Sequence, residues 1–272
     1  MLPTDTSFKV ILIALSVFHV ALMFGEYYYS RKRAIVVYTF RETLMNILIS
    51  MGNNLINTIL PLGVKSFFLV WAFQFAPWNV GTGVGAFIVT FIVTDFFYYW
   101  QHRLNHELDI LWAVHEVHHS STDLNLSTGA RTSWIMAFLG GILYMPLALL
   151  GFQPGYIMVS LVYILFLQWW CHTRVIGQVP LIEGVINTPA SHRLHHHPNS
   201  RRNYAGFLMI WDRIFGTYVP EKKITQRFGI GEEITSFNPV WITFRGVFFY
   251  LKSLISKLNA KVFRRNDASV ES

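Results

Sequence analysis

Histidine is the residue type whose spacing in this sequence could do chemistry. Nine of the eleven histidines fall into four places between residues 102 and 196. They are His102 and His106; His115, His118 and His119; His172; and His192, His195 and His196. On a helix, the spacings i, i+4 and i, i+3, i+4 project side chains from one face, so each set offers its imidazoles together. The pattern predicts metal binding.

The number of imidazoles indicates two metal ions. Imidazole suits iron, copper, nickel or zinc, and a closed structural zinc site needs only four ligands. Eight or nine ligands exceed that need by about a factor of two, so two metals with open coordination positions fit better. His19 lies within an apolar run and His197 lies off the helical face that His192 and His196 share, so we interpret both as non-ligands.

Carboxylates near these histidines are candidates for orienting them. A metal-bound imidazole usually donates its other ring N–H to an acceptor, which fixes its tautomer. We predict this role for Asp95 and Glu107, as groups that serve catalysis, and consider Glu116 and Asp123 as further candidates. HEVHH at 115–119 also satisfies the H-E-x-x-H pattern of zinc metalloproteases, with Glu116 as base. That hypothesis leaves most of the other histidines unused.

The composition is typical of a membrane protein. Hydrophobic residues make up 53% and charged residues 14% of the chain, and the mean hydropathy is +0.37. Five membrane passages can be drawn, with the second as a possible broken or partly interfacial pair of helices. They are 8–29, 44–76, 80–101, 134–151 and 155–173. Gly151, Pro154 and Gly155 predict a tight turn between the last two passages.

Basic residues set the expected orientation. Arg31, Lys32 and Arg33 follow the first apolar run, so we interpret that run as a retained anchor whose basic end is cytoplasmic. Five passages then place all the histidine clusters on the cytoplasmic side. The net charge of +7 is expected to serve orientation and anionic headgroups, not nucleic acid. Residues 241–265 mix apolar and basic positions, which suits a helix on the membrane surface or one packed on the cytoplasmic domain.

The sequence therefore predicts an all-α fold, a polytopic membrane helix bundle of about four to five transmembrane helices with a cytoplasmic histidine-rich helical cap. Three regions are expected along the chain. Residues 1–78 form N-terminal membrane anchor helices, 79–220 the catalytic domain, and 221–272 a basic amphipathic tail.

Five segments between about residues 90 and 220 together resemble one family. They are FYYWQHRLNH, WAVHEVHHSS, QWWCHT, NTPASHRLHHHPN and NYAGFLMIWDRIFGTY. In this order they resemble the fatty acid hydroxylase and sterol desaturase superfamily of membrane di-iron enzymes. HRLNHE followed by HEVHHSSTDLNLSTGARTS is similar to its alkylglycerol monooxygenase branch, which implies that Glu107 is also needed for function.

The resemblance implies two iron ions held by the nine histidines, and an oxidoreductase that uses dioxygen to hydroxylate or desaturate a lipid or sterol-like substrate from the bilayer. A pterin-dependent ether-lipid (alkylglycerol) monooxygenase is the nearest alternative. From another class, a histidine-rich zinc-binding membrane protein or an H-E-x-x-H metalloprotease remains open.

Electrons are expected from a separate redox partner. The sequence carries no glycine-rich dinucleotide fingerprint and no cysteine cluster for an iron–sulfur centre, since Cys171 is its one cysteine. A reductase, a cytochrome or ferredoxin, or a reduced pterin would supply them at the basic cytoplasmic face. The segment 203–218 is expected to cap the metal site and hold the third histidine cluster.

Overall fold

The computed structural model describes residues 6–59, 63–198, 200–224 and 226–270, with side chains from residue 17 onward except at 57–59, 63–65, 137 and 261–270. These residues form eleven α-helices, one short 3-10 helix and isolated β-bridges. The all-α prediction is confirmed. The helices are α1 (Thr6–Lys32), α2 (Phe40–Ile59), α3 (Gly63–Phe73), α4 (Val84–Glu107), α5 (Asp109–His119), α6 (Met136–Leu143), α7 (Met145–Leu149), α8 (Pro154–Trp169), α9 (Pro189–His195), α10 (Ile210–Ile214) and α11 (Pro239–Val270); the 3-10 helix is Thr128–Ala130.

The predicted passages correspond to helices, but to unequal ones. Passages 8–29, 80–101 and 155–173 coincide with α1, α4 and α8. Within the part of the chain that the structure describes, α4 is the one helix long and apolar enough to cross a membrane. The segments Phe138–Leu149 and Pro154–Trp169 are apolar but shorter. The count of about five membrane helices therefore stays a prediction.

Two predicted passages are divided. The segment 44–76 consists of α2 and α3, as its polar residues suggested. The predicted passage 134–151 is also divided, because the chain breaks at Tyr144 between α6 and α7. Pro146 follows this break, and a proline has no N–H to continue the helical bonding of the preceding turn. Proline is tolerated there because it lies in the first turn of α7.

The short turn between α7 and α8 is confirmed. Gly151 has a φ of +80°, a conformation that residues with a side chain rarely adopt. A Cβ at this position would also lie 2.4 Å from the Trp78 carbonyl oxygen. Glycine is therefore needed both for the backbone angle and for the close approach of the loop before α4.

Two apolar clusters hold the helices together. The first joins α3, α7 and α8, with Leu69, Leu147 and Ile157 fully buried, and Val93 and Phe97 of α4 pack against it. The second joins α2, α5 and α11 through Met45, Ile49, Val117 and Ile242. Outside these clusters, large apolar side chains of α1, α4 and α8 stay exposed. They include Phe24, Val84, Ile88, Val162 and Leu165.

The helix ends place the histidines. Leu108 is extended and separates α4 from α5, so the chain turns sharply and the last turns of α4 face α5. His172 follows α8 within three residues. Thr188 caps α9 by accepting a hydrogen bond from the Ser191 N–H, and Pro189 fills the first position of that helix.

The C-terminal helix α11 is longer than the predicted 241–265 segment. Its first turns pack on α5, where a Cβ at Gly246 would lie 2.4 Å from the Ala113 carbonyl oxygen. From residue 251 to residue 260 every described side chain is exposed. One end of the helix is therefore packed on the helical domain and the other end is uncovered, so a position on the membrane surface stays a prediction.

Candidate metal centre

Nine imidazoles converge into two adjacent groups. In each group one ligand atom per residue lies within 4.8 Å of every other. The five-histidine group consists of His102, His106, His115, His119 and His195, and the four-histidine group of His118, His172, His192 and His196. These are the nine residues predicted as metal ligands. His197 and His19 are in neither group.

Each H-x-x-H-H motif contributes to both groups. His115 and His119 belong to the five-histidine group, whereas His118 turns to the other. In the second motif the division is reversed, because His192 and His196 belong to the four-histidine group and His195 crosses over. The rings of His119 and His196 stack with centroids 4.3 Å apart, so the groups share a wall. Two ions bound here would be neighbours.

Backbone carbonyl oxygens fix the tautomers of four histidines. A carbonyl oxygen only accepts, so the ring nitrogen next to it carries the proton. The Nδ1 atoms concerned donate as follows: His102 to Tyr204 O at 2.8 Å, His118 to Arg131 O at 3.1 Å, His172 to Gln168 O at 3.2 Å, and His195 to Arg202 O at 3.0 Å. The Nε2 atom of each neutral ring then carries no proton and has a free lone pair.

These lone pairs point at one another. The Nε2 atom of His172 lies 3.2 Å from that of His118 and 3.0 Å from that of His192. In the five-histidine group, the buried Nε2 atoms of His102, His106 and His195 have no hydrogen-bond partner. Burial lowers the pKa of His118 to about 4, so an additional proton shared between the Nε2 atoms of His118 and His172 is disfavoured at neutral pH. Both groups therefore fit a cation.

Arg131 stabilises the first H-x-x-H-H motif, residues 115–119, through hydrogen bonds to the end of α5 and to His118. Its buried guanidinium donates to the Val117 carbonyl and the Ser120 hydroxyl at the end of α5, and pairs with Glu42 of α2 at 3.0 Å. Its own carbonyl accepts from His118 Nδ1. One residue thus fixes both the end of the helix and the ring of a histidine on it.

Arg193 has the corresponding role inside the second motif. It is fully buried, pairs with Glu221 at 2.6 Å and donates to the carbonyls of Thr173 and Ile176. It therefore joins α9 to the segment that follows His172. His172 and His192 belong to the same group, and Arg193 holds their two segments together.

The segment after α9 closes the site. Asp212 accepts hydrogen bonds from the Tyr204 and Ala205 N–H groups and from the Thr217 hydroxyl. Asn203, which has a φ of +56°, donates to the Ser191 carbonyl. This bonding positions the Arg202 and Tyr204 carbonyls that orient His195 and His102. These contacts hold the third histidine cluster as predicted, and the capping of a bound metal by residues 203–218 stays a prediction.

The predicted orienting acids lie elsewhere. Both oxygens of the buried Asp95 accept from the closing segment, namely from the Phe207 and Leu208 N–H groups and from Trp211 Nε1. Glu107 is on the surface and pairs with Arg103 at 2.8 Å. Glu116 pairs with Arg245 of α11, and Asp123 accepts from Thr39. Among their described contacts none joins a carboxylate to an imidazole, so the expectation that these acids orient the histidines is wrong.

Asp95 still acts on the site indirectly, because the segment it holds carries the Tyr204 carbonyl. A role of Asp95 or Glu107 in catalysis itself stays a prediction.

Sequence reasoning missed the two buried arginines and the carbonyls. Arg193 carried a usable signal, because a charged residue between two ligands on a short helix must be paired to be buried. Arg131 had a weaker signal within the polar run after the first motif. Backbone carbonyls leave no trace in residue type.

A polar cavity of about 380 Å³ adjoins the five-histidine group. His106, His119 and His195 line its inner end, with Trp112 beside them, and Arg201 lies in its wall. The site can therefore be reached by a small polar molecule through a cavity separate from the exposed apolar faces of α1, α4 and α8.

Comparison with known proteins shows similarity to a family model and to several relatives. The fatty acid hydroxylase family model matches residues 87–217. Alkylglycerol monooxygenases of Xenopus tropicalis and Homo sapiens are each 43% identical, over 56% and 58% of this chain and 34% and 36% of their own length. The ornithine lipid hydroxylase OlsE of Rhizobium tropici is 30% identical over 48% of this chain and 41% of its own. The alignments thus span about a third of each alkylglycerol monooxygenase. No solved structure matches the chain.

Proposed function

Because residues 87–217 of this chain match the fatty acid hydroxylase family model, we propose that the chain acts as a membrane-bound non-haem di-iron oxygenase that hydroxylates, or desaturates, a lipid. The observation that carries the proposal is the facing of unprotonated Nε2 atoms in two adjacent histidine groups. The five-histidine group exceeds the four ligands of a closed structural zinc site. Imidazole also suits iron.

The chain's own residues would hold and shield the centre. The nine imidazoles would bind the two irons, and the four backbone carbonyls keep the Nε2 atoms facing inward. A bound di-iron centre supplies reductive activation of dioxygen for attack on a C–H bond. Burial of nearly all nine rings excludes bulk water, which prevents side reactions of such an oxidant.

A bilayer location is part of the proposal. It is supported by α4, which is long and apolar enough to span, and by the exposed apolar side chains of α1 and α8. The basic end of α1, Arg31 to Arg33, favours a cytoplasmic position for that end and for the histidine centre. The lipid substrate would then reach the centre from the bilayer.

A separate redox partner would supply electrons. The partner would be a reductase, a cytochrome or ferredoxin, or a reduced pterin, and the polar cavity beside the five-histidine group offers a small donor or dioxygen a route to the imidazoles. The net charge of +7 favours an acidic protein partner.

Isotopically labelled dioxygen tests the proposed reaction. The purified protein is reconstituted with ferrous iron and a chemical reductant in vesicles of mixed lipids, and the lipids are analysed by mass spectrometry. The proposal expects one labelled oxygen atom in a lipid product, or a new double bond with labelled water. Oxygen consumption with no change in any lipid would contradict it, and a His106→Ala variant gives the background.

A second candidate is a pterin-dependent ether-lipid monooxygenase. The 43% identity to proteins named alkylglycerol monooxygenase favours it. Oxygen consumption with an alkylglycerol is measured with and without tetrahydropterin. A rate that depends on both compounds selects this candidate, whereas turnover of other lipids without pterin selects the broader hydroxylase.

The metalloprotease alternative loses support from Glu116. A general base must lie within hydrogen-bond reach of the metal-bound water. The Glu116 carboxylate instead pairs with Arg245 of α11, outside both histidine groups. A histidine-rich zinc-binding protein remains distinguishable by metal content.

A further inference from the structure

A second cavity, of about 330 Å³, lies between the end of α1 and the segment that follows α8. We call it the α1 groove. Leu22, Gly25 and Tyr29 form one wall, and Trp169, Thr173 and Ile176 form the other. It contains none of the nine histidines. We propose that the α1 groove binds one hydrocarbon chain of an anionic bilayer lipid, with the lipid headgroup at the basic end of α1.

The lining of the α1 groove is mostly apolar. Glu26 is the charged residue in the groove, and it is already satisfied by the Thr173 hydroxyl, the Tyr38 hydroxyl and the Leu126 N–H at 2.8 Å. The Thr173 hydroxyl also accepts from the Val175 N–H. The remaining lining side chains are mostly apolar or aromatic. A hydrocarbon chain therefore fits better than a polar molecule.

The surroundings of the groove point to a lipid and to its charge. Along α1, the apolar side chains of Val17, Val20 and Phe24 are exposed, as is Leu22 of the groove wall. At the other end, Arg33 lies over the ring of Tyr29, 5.4 Å from its centroid, and exposed Arg31 and Lys32 occupy the last turn of the helix. The three cations at this end of α1 attract an anionic headgroup such as a phosphate.

Gly25 gives a clean way to close the groove. A Cβ built at this residue meets no atom within 4 Å and Gly25 lines the groove, so we expect a larger side chain at this position to enter the groove. Glycine is also a poor helix former, so its replacement favours α1. Gly85 in α4 is a matched control, because it is helical, exposed and equally open but lies outside the groove.

Photo-crosslinking tests the proposal without turnover or bound iron, and so independently of the proposed function. The full chain is placed in phosphatidylcholine vesicles that contain a phosphatidic acid with a diazirine in one acyl chain. Labelling is mapped at Trp169 and Thr173, which are buried, and at Val162 and Leu165 on α8 as a reference for bulk lipid. The elution volume of each variant in gel filtration checks that it is folded.

We expect labelling of Trp169 and Thr173 in the unmodified chain, and a loss of roughly tenfold in Gly25→Phe, because several buried methylenes would be displaced. Gly85→Phe should match the unmodified chain. Replacing Arg31, Lys32 and Arg33 with glutamine should lower the preference for phosphatidic acid over a phosphatidylcholine probe by roughly fivefold or more. Equal labelling of the two buried residues in Gly25→Phe and Gly85→Phe, or none in the unmodified chain, would overturn the proposal.

Discussion

The two H-x-x-H-H motifs have the same spacing but are supported differently. The first, at 115–119, lies on α5, and its second residue Glu116 faces outward to Arg245 of α11. The second, at 192–196, ends α9, and its second residue Arg193 faces inward to Glu221. The Glu116 and Arg245 side chains are 12% and 9% exposed, whereas Arg193 and Glu221 are 0% and 2% exposed. The second motif is thus held from within.

Neither H-x-x-H-H motif forms a histidine group by itself. Each motif gives its first and last histidines to one group and its middle histidine to the other. An ion in either group would therefore depend on both motifs. The spacing fixes which rings share a helical face, and the packing of α5 against α9 decides which ion each ring would bind.

The largest expected effect follows from the division of each motif's histidines between the two groups. His118→Ala and His172→Ala alter the same group, so the double variant should retain about one iron per chain, like each single variant. His115→Ala with His118→Ala alters both groups, although both residues lie in one motif, and should retain almost none. Each variant should lose activity by at least about 100-fold. Iron is counted by elemental analysis after gel filtration.

The reverse iron counts in the two double variants would contradict the division of each motif between the two groups. If the 115/118 double variant retained one iron and the 118/172 variant none, each motif would be a site by itself.

Arg193→Gln should have the next largest effect. It leaves the buried Glu221 carboxylate without its ion pair and removes the bonds to the Thr173 and Ile176 carbonyls, which is expected to cost about 3–5 kcal/mol of stability. Unfolding in detergent solution measures this cost. A change below about 1 kcal/mol would contradict the internal support of the second motif.

Acid should weaken both motifs in the metal-free protein. Burial lowers the pKa of His118 to about 4 and those of His195 and His196 well below their usual value, so the folded state takes up fewer protons than the unfolded state. The contribution of these histidines to stability is complete above the unfolded pKa of about 6.5 and falls as the pH drops toward the folded pKa. At pH 5, the loss from His118 alone is about 2 kcal/mol.

The measurement is the melting temperature of chelator-treated protein from pH 7.5 to 5, with the His118→Ala variant as control. A melting temperature independent of pH in this range would contradict neutral, buried histidines.

Glu116→Gln should have the smallest effect. The amide oxygen can still accept from Arg245, and Arg245 keeps its pair with Glu232, so a cost of about 1 kcal/mol or less is expected. Lipid oxidation should fall only a few-fold, as measured by oxygen consumption. A loss of orders of magnitude would instead support a base on Glu116 and would restore the protease hypothesis.

The sequence predicted which histidines come together, but it did not predict how they divide into two groups or what holds them. All nine histidines were found because clustering on helical faces is visible in a one-dimensional pattern, and the helical fold followed from composition and apolar runs. The division into two groups was not visible, since it depends on how α5, α8 and α9 pack. Asp95 looked like an orienting acid because it precedes His102 by about two helical turns, but its carboxylate holds the closing segment.

Likewise, Pro146 was a signal in the sequence for the break between α6 and α7 that the prediction of passage 134–151 did not use.

The metal content of the purified chain tests the central claim most directly. Iron, zinc and copper are counted per chain after expression in iron-supplemented medium and again after ferrous reconstitution, because purification can exchange zinc for iron. The two histidine groups predict about two irons per chain, one for each group. A single tightly bound zinc that ferrous iron does not replace, with no further site for iron, would contradict the di-iron proposal.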